Sequence, residues 1–227
     1  MVVDARKRQK QLQRKLQKRK QKIAERGKGQ TRGLRVEKYL EYPVLDCLLS
    51  QSIYKVGIGS VLLTRETPYA EVAVSAFVVD VYCLGVKEAF FTVMRKADYT
   101  GKFKPMLAKT HEDQGLSPVD PSCARKLLHG AVAYAKSLGF DPAEDYWRAE
   151  KLFGAADPSC CEIDYVYGRE GRPCYIQGPH DDMKTVRYVL NKLTERLGEG
   201  NFDYVVEIDG EQQASRPELL EAPLDKT

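Results

Sequence analysis

The chain has 227 residues, of which 43% are apolar and 30% are charged, and its formal net charge is +4. These proportions are ordinary for a protein that folds around a packed core. A membrane-spanning helix needs roughly 20 consecutive apolar residues. The longest apolar stretch here, residues 72–81, is strand length and contains Ser75 and Asp80. The sequence therefore predicts a protein without integral membrane association.

The charge is distributed very unevenly along the chain. Residues 1–36 contain 14 Lys or Arg and only two acids, Asp4 and Glu25, and so carry a formal charge of +12. The rest of the chain must then carry −8. A polycation joined to an acidic body is typical of proteins that bind a polyanion. We call residues 1–36 the basic arm.

The basic arm has the composition of a helix. Residues 4–26 contain no Pro or Gly and are rich in strong helix formers, which predicts a helix there. Leu12, Leu16 and Ile23 form too thin an apolar stripe to hold the helix against a core, so we expect the arm to be mobile or helical. It lacks the apolar run of a secretory signal, and this predicts a cytoplasmic protein.

The first part of the body contains two predicted strands. Residues 58–64 and 71–82 are rich in β-formers and flank a turn, which predicts a hairpin. Nearly every residue of the second strand is apolar, and this indicates that both of its faces are buried. Short helices are predicted at residues 44–49 and 86–94.

The middle of the chain contains the clearest helix pattern. Residues 95–119 are polar and interrupted by Gly and Pro, so they are predicted to form an irregular loop. Asp120 and Pro121 then provide a helix start, and apolar residues at helical spacing continue to Leu138 before a glycine stop. A second helix is predicted over residues 142–153.

The last part of the body is predicted to contain a hairpin, a helix and a strand. The hairpin joins residues 163–167 to residues 174–177 through a glycine-flanked turn. The helix is capped by Asp181 or Asp182, and the strand covers residues 202–208.

Together these elements predict an α+β fold. Residues 37–208 are expected to form a single domain with a mixed or antiparallel sheet of about five strands covered by helices. The basic arm precedes this domain, and residues 209–227 are expected to form an acidic, disordered tail.

Three blocks of the body resemble a family of uncharacterised bacterial proteins. They are VDVYCLGVK at residues 79–87, AYAKSLGF at residues 133–140 and YIQGP at residues 175–179. The similarity covers roughly residues 39–206 and leaves the basic arm outside it. The resemblance implies a bacterial, cytoplasmic origin and a single domain, but it carries no transferable activity.

The basic arm is the main candidate for binding nucleic acid, because Lys and Arg that neutralise phosphates release counterions. It has no aromatic residues, so base stacking would have to come from Tyr165, Tyr167 and Tyr175, beside Arg169 and Arg172 of the predicted hairpin. Alternatively, these tyrosines pack in the core. Backbone-directed RNA binding, for example to the ribosome, is the simpler expectation. The predicted nucleic-acid-binding residues are Arg6, Lys7, Arg8, Lys10, Arg14, Lys15, Lys18, Arg19, Lys20, Lys22, Arg169 and Arg172.

Asp80 is the main candidate for a catalytic group. It lies near the end of an apolar strand, and Lys87 and Glu88 follow closely as further candidates. A metal-dependent nuclease could hold a divalent ion with Asp80, Glu88 and another acid such as Asp164. The structural alternative is that Asp80 pairs with Lys87 or caps the turn at Gly85. It is favoured because the sequence has no acidic motif of recognised spacing.

The cysteines and histidines give weaker signals. Without a secretory signal, the six cysteines are expected to be reduced and to pack mostly as small apolar groups. No two of them are separated by two to four residues, and adjacent Cys160 and Cys161 would point to opposite faces of a strand, so no metal site is predicted. Cys83 is a candidate nucleophile if it is accessible. No cofactor is predicted.

The sequence as a whole predicts a non-enzymatic cytoplasmic RNA-binding protein, with the ribosome as a candidate partner. One alternative is a metal-dependent enzyme that acts on nucleic acid through Asp80. The other is a protein-interaction module that the basic arm merely keeps soluble. An anionic membrane surface is a poorer partner, because the arm lacks a broad apolar face.

Overall fold

A five-stranded antiparallel sheet lies at the centre of an α+β fold, which confirms the predicted fold class. The computed structural model describes residues 34–110, 115–178, 181–208, 211–216 and 219. The helix predicted at residues 4–26 therefore lies outside the described residues, as does most of the predicted tail. Among the residues that are described, no helix is long and apolar enough to cross a membrane.

The strands form two separate sheets. The main sheet contains β1 (Val44–Ser50), β2 (Ile58–Glu66), β3 (Glu71–Asp80), β4 (Gly85–Arg95) and β5 (Leu116–Pro118). Its spatial order is β4-β3-β2-β1-β5. The small sheet contains β6 (Cys174–Ile176), β7 (Asp203–Ile208) and β8 (Glu211–Ala214). Strand β7 is parallel to β6 and antiparallel to β8.

Helices cover both faces of the main sheet and one face of the small sheet. They are α1 (Ile53–Val56), α2 (Lys96–Asp98), α3 (Lys104–Thr110), α4 (Pro121–Ser137), α5 (Tyr146–Glu150) and α6 (Met183–Leu197). A π-helical turn, Tyr99–Phe103, joins α2 to α3, and single 3-10 turns lie at Val36–Tyr39, Lys151–Phe153 and Pro158–Cys160. The main core lies between the sheet and helices α4 and α5, while α6 packs on the small sheet.

The predicted hairpin and the buried character of its second strand are confirmed. Strands β2 and β3 pair antiparallel along their whole length. On β3, Phe77 and Val79 belong to the main core, whereas Val72 and Val74 pack on the opposite face with Tyr99 of the π-helical turn. Both faces of β3 are therefore covered.

Two predicted helices are strands in the structure. Residues 44–49 belong to β1, which pairs with both β2 and β5, and residues 86–94 belong to β4, which pairs along the free edge of β3. Paired neighbours supply backbone hydrogen bonds that a local pattern does not reveal. In β4 the run Phe90, Phe91, Thr92 and Val93 also favours a strand.

Several other boundaries differ from the predictions. The expected loop at residues 95–119 contains α2, α3 and β5. The second central helix begins only at Tyr146. Residues 163–167 form no strand, so the second predicted hairpin, between residues 163–167 and 174–177, is wrong. Strand β8 lies inside the predicted tail, and buried Val36 lies inside the basic arm, so the folded body extends past both expected boundaries.

The predicted starts of the two long helices are confirmed. The Asp120 side chain accepts a hydrogen bond from the Ser122 amide at 2.7 Å, and Pro121 occupies the first turn of α4. Asp182 rather than Asp181 caps α6, accepting from the Thr185 amide at 2.8 Å. In both helices the cap satisfies an amide that has no partner inside the helix.

The buried guanidinium of Arg65 joins the sheet to the 3-10 turn Lys151–Phe153 that follows α5. Its Nε donates to the Leu152 carbonyl at 2.9 Å, one terminal nitrogen donates to the Phe153 carbonyl at 3.2 Å, and the other donates to the Tyr42 carbonyl at 2.6 Å. Carbonyls at a helix C-terminus lack partners inside the helix and carry partial negative charge. Arg65 therefore donates to three backbone carbonyls, of which that of Phe153 also accepts from the Ala156 amide at 3.2 Å.

Replacement of Arg65 by Met keeps much of the side-chain volume but removes these three donors. We expect Arg65→Met to lower the free energy of unfolding by about 2–4 kcal/mol, because buried acceptors lose their partners. Urea denaturation followed by circular dichroism measures the change. Arg95→Met is the matched control, since the Arg95 side chain is 78% exposed and pairs with Asp98 at the surface. A loss for Arg65→Met no larger than that of the control would contradict this role.

Candidate functional site

The turn between β3 and β4 is built around the carboxylate of Asp80. Its Oδ1 accepts hydrogen bonds from the amides of Tyr82 and Cys83, both at 2.9 Å. Gly85, which begins β4, has a positive φ of 67°, and a Cβ there would lie 2.7 Å from the Cβ of Ala135 on α4. The turn therefore needs both a capping acid at residue 80 and a glycine at residue 85.

Asp80 is a buried acid, with 7% of its surface exposed. Burial disfavours the charged form and raises the pKa of this carboxyl to about 6. The amide hydrogen bond from Cys83 and the nearby positive charge of Lys87 act in the opposite direction and limit the rise. A carboxyl with this pKa exchanges a proton close to neutral pH.

Asp80 lines a cleft of about 210 Å³ where the two sheets approach each other. The cleft lies between the start of β2, the turn after β3 and the end of β6. Its polar side chains come from Asp80, Lys87 and Gln177, and its apolar walls from Ile58, Ile176 and the residues around them. A small concave site with a few converging polar groups is typical of ligand-binding sites.

Lys87 is held at the cleft by a second carboxylate, Asp181. The Lys87 Nζ lies 3.6 Å from Asp181 Oδ2. The same oxygen accepts from the Tyr175 hydroxyl at 3.0 Å and from the Gly178 amide at 2.9 Å. Lys87 thus has one directly paired carboxylate and a second one, Asp80, within electrostatic range.

The structure does not bring the three proposed metal ligands together. Asp80 is buried at the turn, whereas Glu88 is exposed on β4. Asp164 is fully exposed and lies 3.6 Å from Lys126 on α4. Within the described ranges, no three His, Cys, Asp or Glu side chains form a group that could hold a metal ion. The structural role expected for Asp80 as the cap of its turn is confirmed.

The tyrosines proposed for base stacking are packed inside the body. Tyr175 is fully buried, and the Tyr167 hydroxyl donates to the Leu127 carbonyl at 2.9 Å. The ring of Tyr165 stacks on Tyr54, with 6.3 Å between centroids. These contacts support the alternative that the three tyrosines are structural.

The two predicted arginines of this region lie at a tight turn. Arg169 and Arg172 exchange backbone hydrogen bonds there. The Arg172 Nε lies 3.3 Å from Oδ2 of the buried Asp203, which Arg216 also contacts. Arg172 therefore forms an ion pair with Asp203. The other ten predicted nucleic-acid-binding residues, Arg6 to Lys22, lie outside the described residues.

The cysteine predictions need two corrections. Cys123 and Cys161 form a disulfide, so not all six cysteines are reduced thiols. Cys83 is fully buried and burial raises the pKa of its thiol, so it is not the accessible nucleophile that the sequence suggested.

A second buried carboxylate, Glu150, serves the packing of α4 on α5. Its Oε1 accepts from Arg125 Nε at 2.7 Å and lies 2.8 Å from His129 Nε2. Burial raises the pKa of Glu150, but the hydrogen bonds from His129 and Arg125 outweigh it and leave a lowered value. Arg125 also donates to the carbonyls of Gly154 and Ala156. These contacts hold α4 against α5 and against the residues that follow α5.

Sequence reasoning missed Asp181 and Gln177 as cleft residues. Asp181 was predicted only as a helix cap, and Gln177 only as part of a strand. Neighbouring positions in the chain gave no sign that the end of β6 would meet Lys87 of β4. The block at residues 175–179, singled out for its resemblance, was the only signal pointing there.

No protein-family model, curated protein or solved structure matches this chain. The resemblance of the three sequence blocks to a bacterial family therefore stays a prediction.

The pKa of Asp80 predicts a pH-dependent cost to stability. Since the folded pKa of about 6 lies above the ordinary value of 3.8, the folded state binds more protons between these values, and stability falls as pH rises through this window. Asp80→Asn removes this penalty while keeping an acceptor for the turn. We expect the stability of Asp80→Asn relative to wild type to rise by roughly 2–3 kcal/mol from about pH 4 to about pH 7.

Urea unfolding at several pH values across this range measures that difference. Glu88→Gln on the exposed face of β4 is the control, and its difference from wild type should not follow the same pH course. A constant offset between Asp80→Asn and wild type at every pH would show that the carboxyl titrates normally.

Proposed function

We propose that this protein binds nucleic acid, RNA in the first place, through the basic arm. The observation that carries the proposal is the separation of charge, with +12 on residues 1–36 and −8 on the remainder. A polycation of this density attracts the phosphate backbone, and the acidic remainder disfavours wrapping of the same polyanion around the body.

The ion pairs of the body support this division of roles. Many of its cations are already matched to carboxylates, as in the pairs Lys96–Glu66, Lys104–Asp46, Arg125–Glu150, Lys126–Asp164, Lys151–Glu37 and Arg172–Asp203. Others lie over aromatic rings, such as Lys136 over Trp147. A cation held in such a pair is less available to a phosphate, because the new contact must replace the old one.

The chemistry available for binding nucleic acid is directed at the phosphate backbone. The basic arm contains no aromatic residues that could stack on bases. The three tyrosines considered for base stacking, Tyr165, Tyr167 and Tyr175, are engaged in packing. Recognition through phosphates and shape suits a structured RNA such as ribosomal RNA, and a cytoplasmic location belongs to the same proposal.

The arm hypothesis predicts a salt-dependent affinity. In a salt series with structured RNA, the logarithm of the association constant of the intact chain should fall steeply with the logarithm of salt, with a slope of about −0.7 to −0.9 per phosphate contacted. A full-length variant with Gln at the ten cationic positions from Arg6 to Lys22 should lose most of the affinity and most of this slope. Fluorescence anisotropy measures both quantities.

Arg169→Gln is the matched control, because it removes one predicted cation from the body and leaves the basic arm intact. We expect it to change the affinity by less than about threefold, as a single peripheral contact would. Equal binding by the wild type and the ten-position variant, with the same salt slope, would refute the proposed role of the arm.

A second candidate function is an enzyme acting on nucleic acid with Asp80 as the proton-transfer group. A single feature favours it: Asp80 combines a pKa of about 6 with a place on the cleft beside Lys87. The cleft is smaller than the roughly 300–1,000 Å³ of typical ligand sites, so it would hold only part of a substrate.

This candidate predicts degradation of labelled RNA or DNA, measured with Mg²⁺, with Mn²⁺ and without added metal, because the described residues contain no group that could hold a metal ion. Asp80→Asn should reduce the rate by at least about a hundredfold, as expected for the loss of a general acid or base. Glu88→Gln serves as the control, since Glu88 lies away from the cleft on the exposed side of β4 and its removal should leave the rate unchanged. Intact substrate after incubation of the wild type under all three conditions would rule this candidate out.

A further inference from the structure

Three cysteines lie together at the N-terminal end of α4. Cys123, in its first turn, is bonded to Cys161, with 5.0 Å between the two Cα atoms. Cys160 precedes Cys161 and is an exposed free thiol. The other free thiols, Cys47, Cys83 and Cys174, are all buried. The one thiol that solvent reaches is therefore the direct chain neighbour of a disulfide.

We propose that Cys123, Cys160 and Cys161 form a thiol–disulfide exchange site. Cys160 loses its proton to solvent, and its thiolate attacks Sγ of Cys123. The bond from Cys123 to Cys161 breaks as the bond from Cys123 to Cys160 forms, and the Cys161 thiolate leaves and takes up a proton. One disulfide and one thiol are present before and after the step, so it needs no external oxidant or reductant.

The backbone places Cys160 within reach of Cys123. Consecutive Cα atoms are 3.8 Å apart, so the Cα of Cys160 lies at most about 8.8 Å from that of Cys123. Disulfides span Cα separations of up to about 6.8 Å, so a shift of about 2 Å or less brings the pair into bonding range. Cys160 ends the short 3-10 turn Pro158–Cys160 and bonds locally to the Asp157 carbonyl at 3.0 Å. Only this short turn needs to move.

Geometry and charge also select which sulfur is attacked. Attack on Cys161 would join adjacent residues, whose Cα atoms are closer than the roughly 4.4 Å lower limit of ordinary disulfides, so Cys123 is the favoured target. The leaving thiolate is then Cys161. Lys126 donates to the Cys161 carbonyl at 2.9 Å and so brings a positive charge to the residue that carries the leaving group. Asp164 faces Lys126 at 3.6 Å and partly offsets that charge.

Exchange would change how the segment after the 3-10 turn is attached to α4. Residues 161–167 have no regular secondary structure. They are anchored by the disulfide, by the bond from Lys126 to the Cys161 carbonyl and by the Tyr167 hydroxyl on the Leu127 carbonyl. Transfer of the crosslink to Cys160 moves one anchor by a residue and frees Cys161, which is 4% exposed in the present arrangement.

Mapping of the free thiol in the full-length oxidised chain tests the proposal. The protein is incubated without reductant at about pH 8, where thiolates are available. It is then labelled with N-ethylmaleimide under denaturing conditions and digested. Fragment ions show whether Cys160 or Cys161 carries the label. We expect both species in the wild type, with more than about one-tenth of the label on Cys161 if the two disulfides are similar in free energy.

Three variants make the result decisive. Cys160→Ser should retain only the bond between Cys123 and Cys161, and Cys161→Ser should form the bond between Cys123 and Cys160. Cys47→Ser removes a buried thiol and should leave the wild-type label distribution unchanged. Among Cys123, Cys160 and Cys161, label on Cys160 alone in the wild type, or label on all three, would overturn the proposal even if a variant fails to fold. None of these outcomes depends on nucleic-acid binding.

Discussion

The buried carboxylate of Asp80 fixes the turn on which the two sheets depend. By accepting two backbone amides it holds the residues after β3 in place, and their own backbone groups then serve other segments. The Val81 carbonyl accepts from the Gly168 amide at 2.9 Å, and the Tyr82 carbonyl accepts from the Cys174 amide at 3.2 Å. The chain leading into the small sheet is therefore attached at this turn. A buried charge is costly unless it is hydrogen-bonded, so the same contacts that organise the fold make the carboxylate tolerable.

That arrangement also explains why the cleft contains a carboxyl with a raised pKa, whereas the other buried carboxylates of the described residues serve packing. The cleft exists because the end of β6 is brought beside the turn, and Asp181 then pairs with Lys87 at its rim. Elsewhere, Glu150 and Asp203 are enclosed by cationic partners that join helices and strands. Attraction for a polyanion is thus proposed to lie in the basic arm, and any chemistry or selectivity of the body is proposed to lie near Asp80.

The sequence predicted those features that depend on neighbouring residues. The caps at Asp120 and Asp182, the hairpin of β2 and β3 and the two-sided burial of β3 all follow from local patterns. The sequence wrongly predicted helices at β1 and β4, because these segments become strands by pairing with other strands. It identified Asp80 and Lys87 from their place after a strand. It could not find Asp181 as their neighbour or the disulfide of Cys123, because those contacts join residues far apart in the chain.

We propose that the basic arm, rather than the folded body, contacts RNA. Ultraviolet crosslinking of the intact protein to structured RNA, followed by mass spectrometry of the crosslinked peptides, identifies the contacting residues. Crosslinked peptides are expected from residues 1–36. Crosslinks confined to residues 37–216, with none in the basic arm, would contradict it.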